Sequence, residues 1–289
     1  MRQFEDHYWS SQDGLRLHYR DYPGRSDRPP VICLHGLTRN ARDFANLADH
    51  LAGDWRVIVP EVRGRGDSGY AKDAATYNPV QYVNDLTLLL DQKGIERFVA
   101  IGTSMGGLMT MIMALSMSGM MPDRIAACVI NDIGPELETK GLEKILEYVG
   151  QGRNFPTWMH AARALEETHR DAFPDWRIDH WLEAAKRVMT LSSNGRIVFD
   201  YDMKIAEPFA GVDFTKQPDF WPAFAVLAAK PVLVLRGELS NLFSEATFAK
   251  MGAASKTVEC VTVPRVGHAP MLDEPEALAG IDRLLARVT

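Results

Sequence analysis

The sequence predicts an α/β protein built on a doubly wound, mostly parallel sheet with helices on both faces, interrupted by an inserted helical cap. Three observations carry this. Short, wholly apolar runs alternate with helical segments between Val31 and Asp132, the rhythm of a parallel sheet whose strands are covered on both sides. That rhythm stops after Pro135 and resumes at Pro231-Val232-Leu233-Val234-Leu235. At the centre, Phe98-Val99-Ala100-Ile101 runs through a glycine-rich turn straight into the Met-rich segment ending near Leu115, which reads as strand, tight turn and buried helix.

In chain order, Leu15-Arg16-Leu17-His18-Tyr19 alternates as an edge hairpin would, and Val31-Ile32-Cys33-Leu34 is the first buried strand. A helix is expected from Asn40, with Asn40 as cap and Asp43 in its first turn. Val57-Ile58-Val59 is the next strand, and the loop Arg63-Gly64-Arg65-Gly66-Asp67-Ser68-Gly69 after it reads as turn chemistry. Asn78-Pro79 opens a helix that runs to Lys93-Gly94. Met109, Met111, Met113 and Met117 are expected to fill the core beneath the sheet. Ala126-Ala127-Cys128-Val129-Ile130 leads into Asn131-Asp132, and a strand at Val258 to Val263 and a helix from Pro275 to Val288 close the chain. Residues 1–134 and 222–289 thus form the core and 135–221 the cap, which holds aromatic residues such as Trp158, Trp176 and Trp181 but no convincing buried strand.

Composition narrows the function. With 289 residues, 46% hydrophobic and 24% charged, the chain is long enough for one large domain with an insertion. A net charge of -6 leaves no basic surface for nucleic acid. No apolar run approaches the roughly 18 to 20 residues of a membrane span, and the first residues lack a signal-peptide core. The three cysteines, Cys33, Cys128 and Cys260, sit in or beside strand-like runs and read as buried thiols of a reducing, cytoplasmic compartment. No metal-ligand spacing occurs. The expectation is a protein without cofactor or metal, acting on a small molecule as a monomer or homodimer, with no nucleic-acid or membrane partner.

The central turn, Gly102-Thr103-Ser104-Met105-Gly106-Gly107, is a Gly-x-Ser-x-Gly elbow, which presents one hydroxyl at a strand's carboxyl end above a helix N-terminus. His268, in Val266-Gly267-His268-Ala269-Pro270 after the last strand, lies on the same rim and is expected to serve as general base for Ser104. Leu34-His35-Gly36-Leu37 follows the first parallel strand. The backbone amides of Leu37 and Met105 are the expected donors to a developing oxyanion, with His35 as a turn-stabilising residue. Arg39, just beyond, is a candidate partner for a substrate carboxylate, and Trp158 a candidate substrate contact in the cap.

Leu34-His35-Gly36, Arg63-Gly64-Arg65-Gly66-Asp67-Ser68, the elbow and Gly267-His268, in this order, make the chain resemble the α/β-hydrolase fold superfamily along nearly its whole length. The resemblance implies a serine hydrolase with a cap over its site. It implies neither a haloalkane dehalogenase nor an epoxide hydrolase, which carry Asp at the Ser104 position. It also implies a third residue, an acid usually found after the strand read here as Val232 to Leu235. This chain departs from that pattern, with Asn241 where many relatives have Asp. Some members take the acid from the end of the preceding strand, where Asp132 stands; a turn-capping role for Asp132 competes, and Glu238 is the other carboxylate nearby. Asp132 is the expected acid, with Asn241 as an altered acid position. The expected reaction is hydrolysis of a carboxylic ester or lactone of a small-to-medium substrate through an acyl-enzyme. The alternatives are carbon–carbon bond hydrolysis on the same residues, or a catalytically weak fold retained for ligand binding.

Overall fold

A computed structural model describes residues 3–288. Its strands are β1 (Glu5–Ser10), β2 (Arg16–Tyr22), β3 (Val31–Leu34), β4 (Val57–Glu61), β5 (Phe98–Thr103), β6 (Ile125–Asn131), β7 (Asn154–Phe155), β8 (Met189–Leu191), β9 (Ile197–Phe199), β10 (Val232–Gly237) and β11 (Val258–Val263). Its α-helices are α1 (Ala45–Leu51), α2 (Pro79–Gln92), α3 (Met105–Met117), α4 (Thr139–Leu146), α5 (Trp158–His169), α6 (Ile178–Val188), α7 (Trp221–Leu227), α8 (Glu245–Ala253) and α9 (Pro275–Leu285).

Eight strands form the main sheet in the order β1-β2-β4-β3-β5-β6-β10-β11. The pairs from β4 through β11 are parallel, and β2 pairs antiparallel with both β1 and β4. The strands β3, β5 and β6, apolar except for Thr103 and Asn131 at the ends of β5 and β6, are buried along their full length, because helices cover both faces of the sheet. Two hydrophobic clusters fill these layers. One unites α1 and α9 with residues of the segment between β6 and α7, and the other unites α2, α3 and α7. Met109, Met111, Met113 and Met117 are all buried in the second, as unbranched side chains that fit irregular gaps.

Local signals locate the helix starts well. Asn78 accepts from the Gln81 amide at the head of α2, with Pro79 in the first turn. Asn40 caps a 3-10 turn, Ala41–Phe44, and α1 begins only after it. Between β6 and α7 the chain is not purely helical. A three-stranded antiparallel sheet, β7-β9-β8, accompanies α4, α5 and α6. These strands of two or three residues are only partly buried and too short to show an alternating pattern, so the sequence, which offered no convincing buried strand here, did not reveal them. Among the described residues no helix is long and apolar enough to cross a membrane.

Candidate active site

The site forms where β3, β5, β6 and β11 end on one rim. Ser104 directly follows β5 at φ 52° and ψ −118°, and α3 begins at the next residue. This backbone conformation is costly for a residue with a Cβ, and the surrounding packing imposes it. A Cβ on Gly106 would lie 2.0 Å from the Leu34 carbonyl oxygen, and one on Gly102 would lie 2.4 Å from that of Gly106. Only glycine lets β3, β5 and α3 approach this closely.

His268 sits in the loop after β11, and its Nε2 lies 2.8 Å from Ser104 Oγ. Its Nδ1 lies 2.8 Å from Asp132 Oδ2. An ionised carboxylate only accepts, so Nδ1 carries the proton toward Asp132, and in the neutral ring Nε2 is left to accept from the Ser104 hydroxyl. Asp132 follows β6, fully buried, at φ 54°. The Gly237 amide donates to its Oδ1 at 2.8 Å, and the Ser240 hydroxyl donates to Oδ2 at 2.7 Å. Three donors therefore converge on this carboxylate and satisfy the charge that burial would otherwise penalise.

Asn241, expected as an altered acid position, is corrected by this geometry. It is exposed, and its backbone packs against Gly141 of α4. The residue of that loop that reaches the acid is its neighbour, Ser240. Asn131, which the sequence did not single out, also braces the site. Its Nδ2 donates to Thr103 Oγ1 at 3.0 Å and to the Pro270 carbonyl at 2.9 Å, joining the elbow to the His268 loop.

The Leu37 loop is held from beneath. His35 Nδ1 donates to the Gly36 carbonyl at 2.8 Å while its Nε2 accepts from the Val62 amide at 3.2 Å. Burial pushes the His35 pKa down to about 4, so the ring is neutral, as this pairing requires. With the Gly36 carbonyl drawn inward, the amide of the same peptide, that of Leu37, is turned the other way. The buried Arg65 guanidinium donates to the Leu37 carbonyl at 2.9 Å. Among the described residues, neither the Leu37 nor the Met105 amide donates to another backbone group, so both are available as donors.

Glu61, at the end of β4, ties the neighbouring loops together. It accepts from the Ala41 amide at 2.8 Å, the Asp67 amide at 2.7 Å and His18 Nδ1 at 2.8 Å. The other nitrogen of His18 is 2.9 Å from Asp6. His18, Glu61 and Asp67 are spaced closely enough to hold a cation, but both ring nitrogens are already engaged, and the cluster acts as a strut. Although burial opposes the charge, hydrogen bonds and attraction to Glu61 raise the His18 pKa above its ordinary 6.5. Burial likewise opposes ionisation of Glu61, yet His18 and the two amides lower its pKa below 4.5. The His18 contribution is complete below pH 6.5 and fades as pH rises through the raised value. The Glu61 contribution is complete above pH 4.5 and fades as pH falls through the lowered one. Urea denaturation is therefore expected to show a larger stability gap between wild type and His18→Gln near about pH 5.5 than near about pH 9. An equal gap at both would rule out the strut.

Over the rim lies a cavity of about 360 Å³, lined by Ser104, His268, Leu37 and Arg39 together with residues of the segment between β6 and α7. Much of its lining is aromatic, with Phe155, Phe173, Trp176, Trp181 and Phe199 among the residues that face it. Phe173 and Trp176 stack at 4.1 Å between ring centres, with Trp181 set against both. The segment between β6 and α7 is tied to the His268 loop, since the Gly267 amide donates to the Ala172 carbonyl at 2.6 Å and Arg265 pairs with Asp175. Arg39 reaches the cavity as expected. Trp158 does not; it packs on the hydrophobic cluster that contains α1 and α9, and Trp176 and Trp181 line the cavity instead.

Comparison with known proteins agrees with this fold. The α/β hydrolase fold family matches residues 29–275. A 3-hydroxybutyrate-oligomer hydrolase from Cupriavidus necator is 33% identical over 91% of this chain and 90% of its own length. A 2-(acetamidomethylene)succinate hydrolase from Mesorhizobium japonicum is 24% identical over 91% of this chain and 90% of its own. The crystal structure of an α/β hydrolase from Novosphingobium aromaticivorans superposes with a TM-score of 0.94 at 62% identity, covering 100% of both chains. With its parallel sheet, its serine elbow and hydrolase relatives along nearly its full length, this chain belongs to the α/β hydrolase fold family.

Proposed function

We propose that this protein is a cytoplasmic serine hydrolase that cleaves carboxylic esters of small hydroxy acids through an acyl-enzyme. The single observation that carries the reading is the continuous hydrogen-bonded chain from Asp132 through His268 to Ser104, with 2.8 Å at each step. In this mechanism Ser104 Oγ attacks the ester carbonyl as its proton passes to His268 Nε2, and Asp132 stabilises the imidazolium. The Leu37 and Met105 amides receive the oxyanion. Collapse breaks the carbon–oxygen bond, and His268 returns the proton to the departing alcohol. His268 then deprotonates water, which attacks the acyl-enzyme and releases the acid and free Ser104.

The aromatic, cap-covered cavity supports a substrate of modest size enclosed away from bulk water. The full-length similarity to a 3-hydroxybutyrate-oligomer hydrolase makes a short linear ester of a 3-hydroxy acid the first substrate to test. Three free cysteines suit a reducing compartment. A fluorophosphonate probe is expected to label wild type and not Ser104→Ala, and p-nitrophenyl butyrate turnover is expected to follow the same pattern. Absence of labelling and turnover in wild type would refute the reading and favour a ligand-binding role.

A further inference from the structure

The cavity wall is not electrically uniform. Besides its aromatic residues, the cavity is lined by Lys144, Glu147, Tyr148 and Gln151 of α4 and the turn after it, by Arg153 just before β7, and by Arg39. Three cations thus face two carboxylates. Asp43 accepts from Arg39 Nη1 at 3.1 Å, and Glu147 is exposed. Neither Lys144 nor Arg153 has a carboxylate within salt-bridge distance among the described residues; Arg153 lies over the Phe155 ring instead.

Arg39 stands close to Ser104. A Cβ placed on Gly36 would lie 3.4 Å from Arg39 Cγ and 3.8 Å from Ser104 Cβ, so the arginine stem runs alongside the nucleophile. Its contact with Asp43 uses one of five donors, leaving the fork open for an incoming acceptor. His169 lines the same cavity. Burial, followed by the positive fields of Arg39, Lys144 and His268, brings its pKa down to about 4. Its ring packs edge-on against Tyr148 at 5.2 Å, and its nitrogens make no hydrogen bond among the described residues. A neutral imidazole in a positive field has a spare N–H for an anion.

We propose that this part of the cavity is a carboxylate subsite, in which Arg39 and Lys144 hold the free acid end of the substrate and His169 donates a further hydrogen bond. The proposal rests on the ester-hydrolase reading above and specifies its substrate class: esters that carry a free carboxylate beyond the scissile bond. The aromatic residues accommodate the apolar body of such a molecule while the cations set its direction.

The test compares the linear dimer of 3-hydroxybutyrate as the free acid with the same dimer ending in a primary amide. Wild type is expected to favour the acid by about tenfold or more in kcat/KM, the size of one charge-assisted contact. Lys144→Met and Arg39→Met should each lower that ratio toward one, mainly through KM, and Arg39→Lys should retain part of it. A ratio near one in wild type, or a ratio unchanged in both Met variants, overturns the subsite. If neither dimer is cleaved in a Ser104-dependent way, that result counts against the ester reading alone. Calorimetry with non-hydrolysable amide-linked analogues of the dimer then decides the subsite. Tighter binding of the acid-ended analogue, weakened by Lys144→Met, supports it; equal binding overturns it.

Discussion

Ser104→Ala is expected to lower kcat by about 10⁶-fold, as when one member of a concerted nucleophile–base unit is removed, and Asp132→Asn by about 10⁴-fold. The second value follows from the hydrogen-bond directions around the acid. An asparagine oxygen can still accept from the Gly237 amide, which now donates to Asp132 Oδ1. Its NH₂ then faces His268 Nδ1 and the Ser240 hydroxyl, which now donate to Oδ2. Two donors meeting at Nδ1 favour the tautomer that places the proton on Nε2, where it can no longer accept from Ser104. The negative charge that stabilises the imidazolium is lost as well. Asn241→Asp, at an exposed position away from the imidazole, should change activity by no more than about twofold. Steady-state kinetics on p-nitrophenyl butyrate decide the matter. An Asp132→Asn enzyme of near wild-type activity, or a large gain from Asn241→Asp, would transfer the acid role elsewhere.

Gly106→Ala should be among the most damaging single-methyl additions in this chain. The new Cβ would lie 2.0 Å from the Leu34 carbonyl oxygen and 2.5 Å from its carbon. Both atoms belong to the backbone of β3, which is buried throughout and paired with β4 and β5, so no side chain can swing aside to relieve the overlap. A loss of about 3 kcal/mol or more is expected, at the upper end of overpacking penalties. The displaced strand leads straight into His35 and Gly36, so reactivity toward a fluorophosphonate should fall even under conditions where the variant is folded. Gly119→Ala is the control: nothing lies within 4 Å of a Cβ there, and a change within about 0.5 kcal/mol is expected. Urea denaturation of the two variants side by side gives the comparison. A stable, fully reactive Gly106→Ala protein would show that the elbow tolerates a looser fit than its geometry implies.

The features legible in the amino-acid order are those set by neighbours in the chain. Apolar runs mark β3, β5 and β6 because a strand covered on both faces needs no polar residue. Asn78-Pro79 marks α2 through its own cap. Features that depend on packing between distant elements were harder to read. The two-residue strand β7 is visible only once β9 pairs with it. Trp158 opens α5 and Trp181 lies in α6, yet nothing in the sequence says which of the two indoles the helix packing turns toward the cavity. Asn131 gave no signal beyond a polar residue at a strand end, although it links Thr103 to Pro270.

What the sequence determined by itself is the elbow, because the position of Ser104 follows from a strand, a helix and two glycines within a few residues of one another. It likewise determined that His268 lies on the same rim, since parallel strands deliver their following loops to one edge. The tertiary structure decided what stands behind that histidine. Asp132 and His268 are 136 residues apart, and they meet because β6 and β11 flank β10 in the sheet. That order brings the end of β6 beneath the His268 loop and leaves Asn241 facing solvent. No local preference encodes such a meeting, because it depends on the pairing of whole strands far apart in the chain.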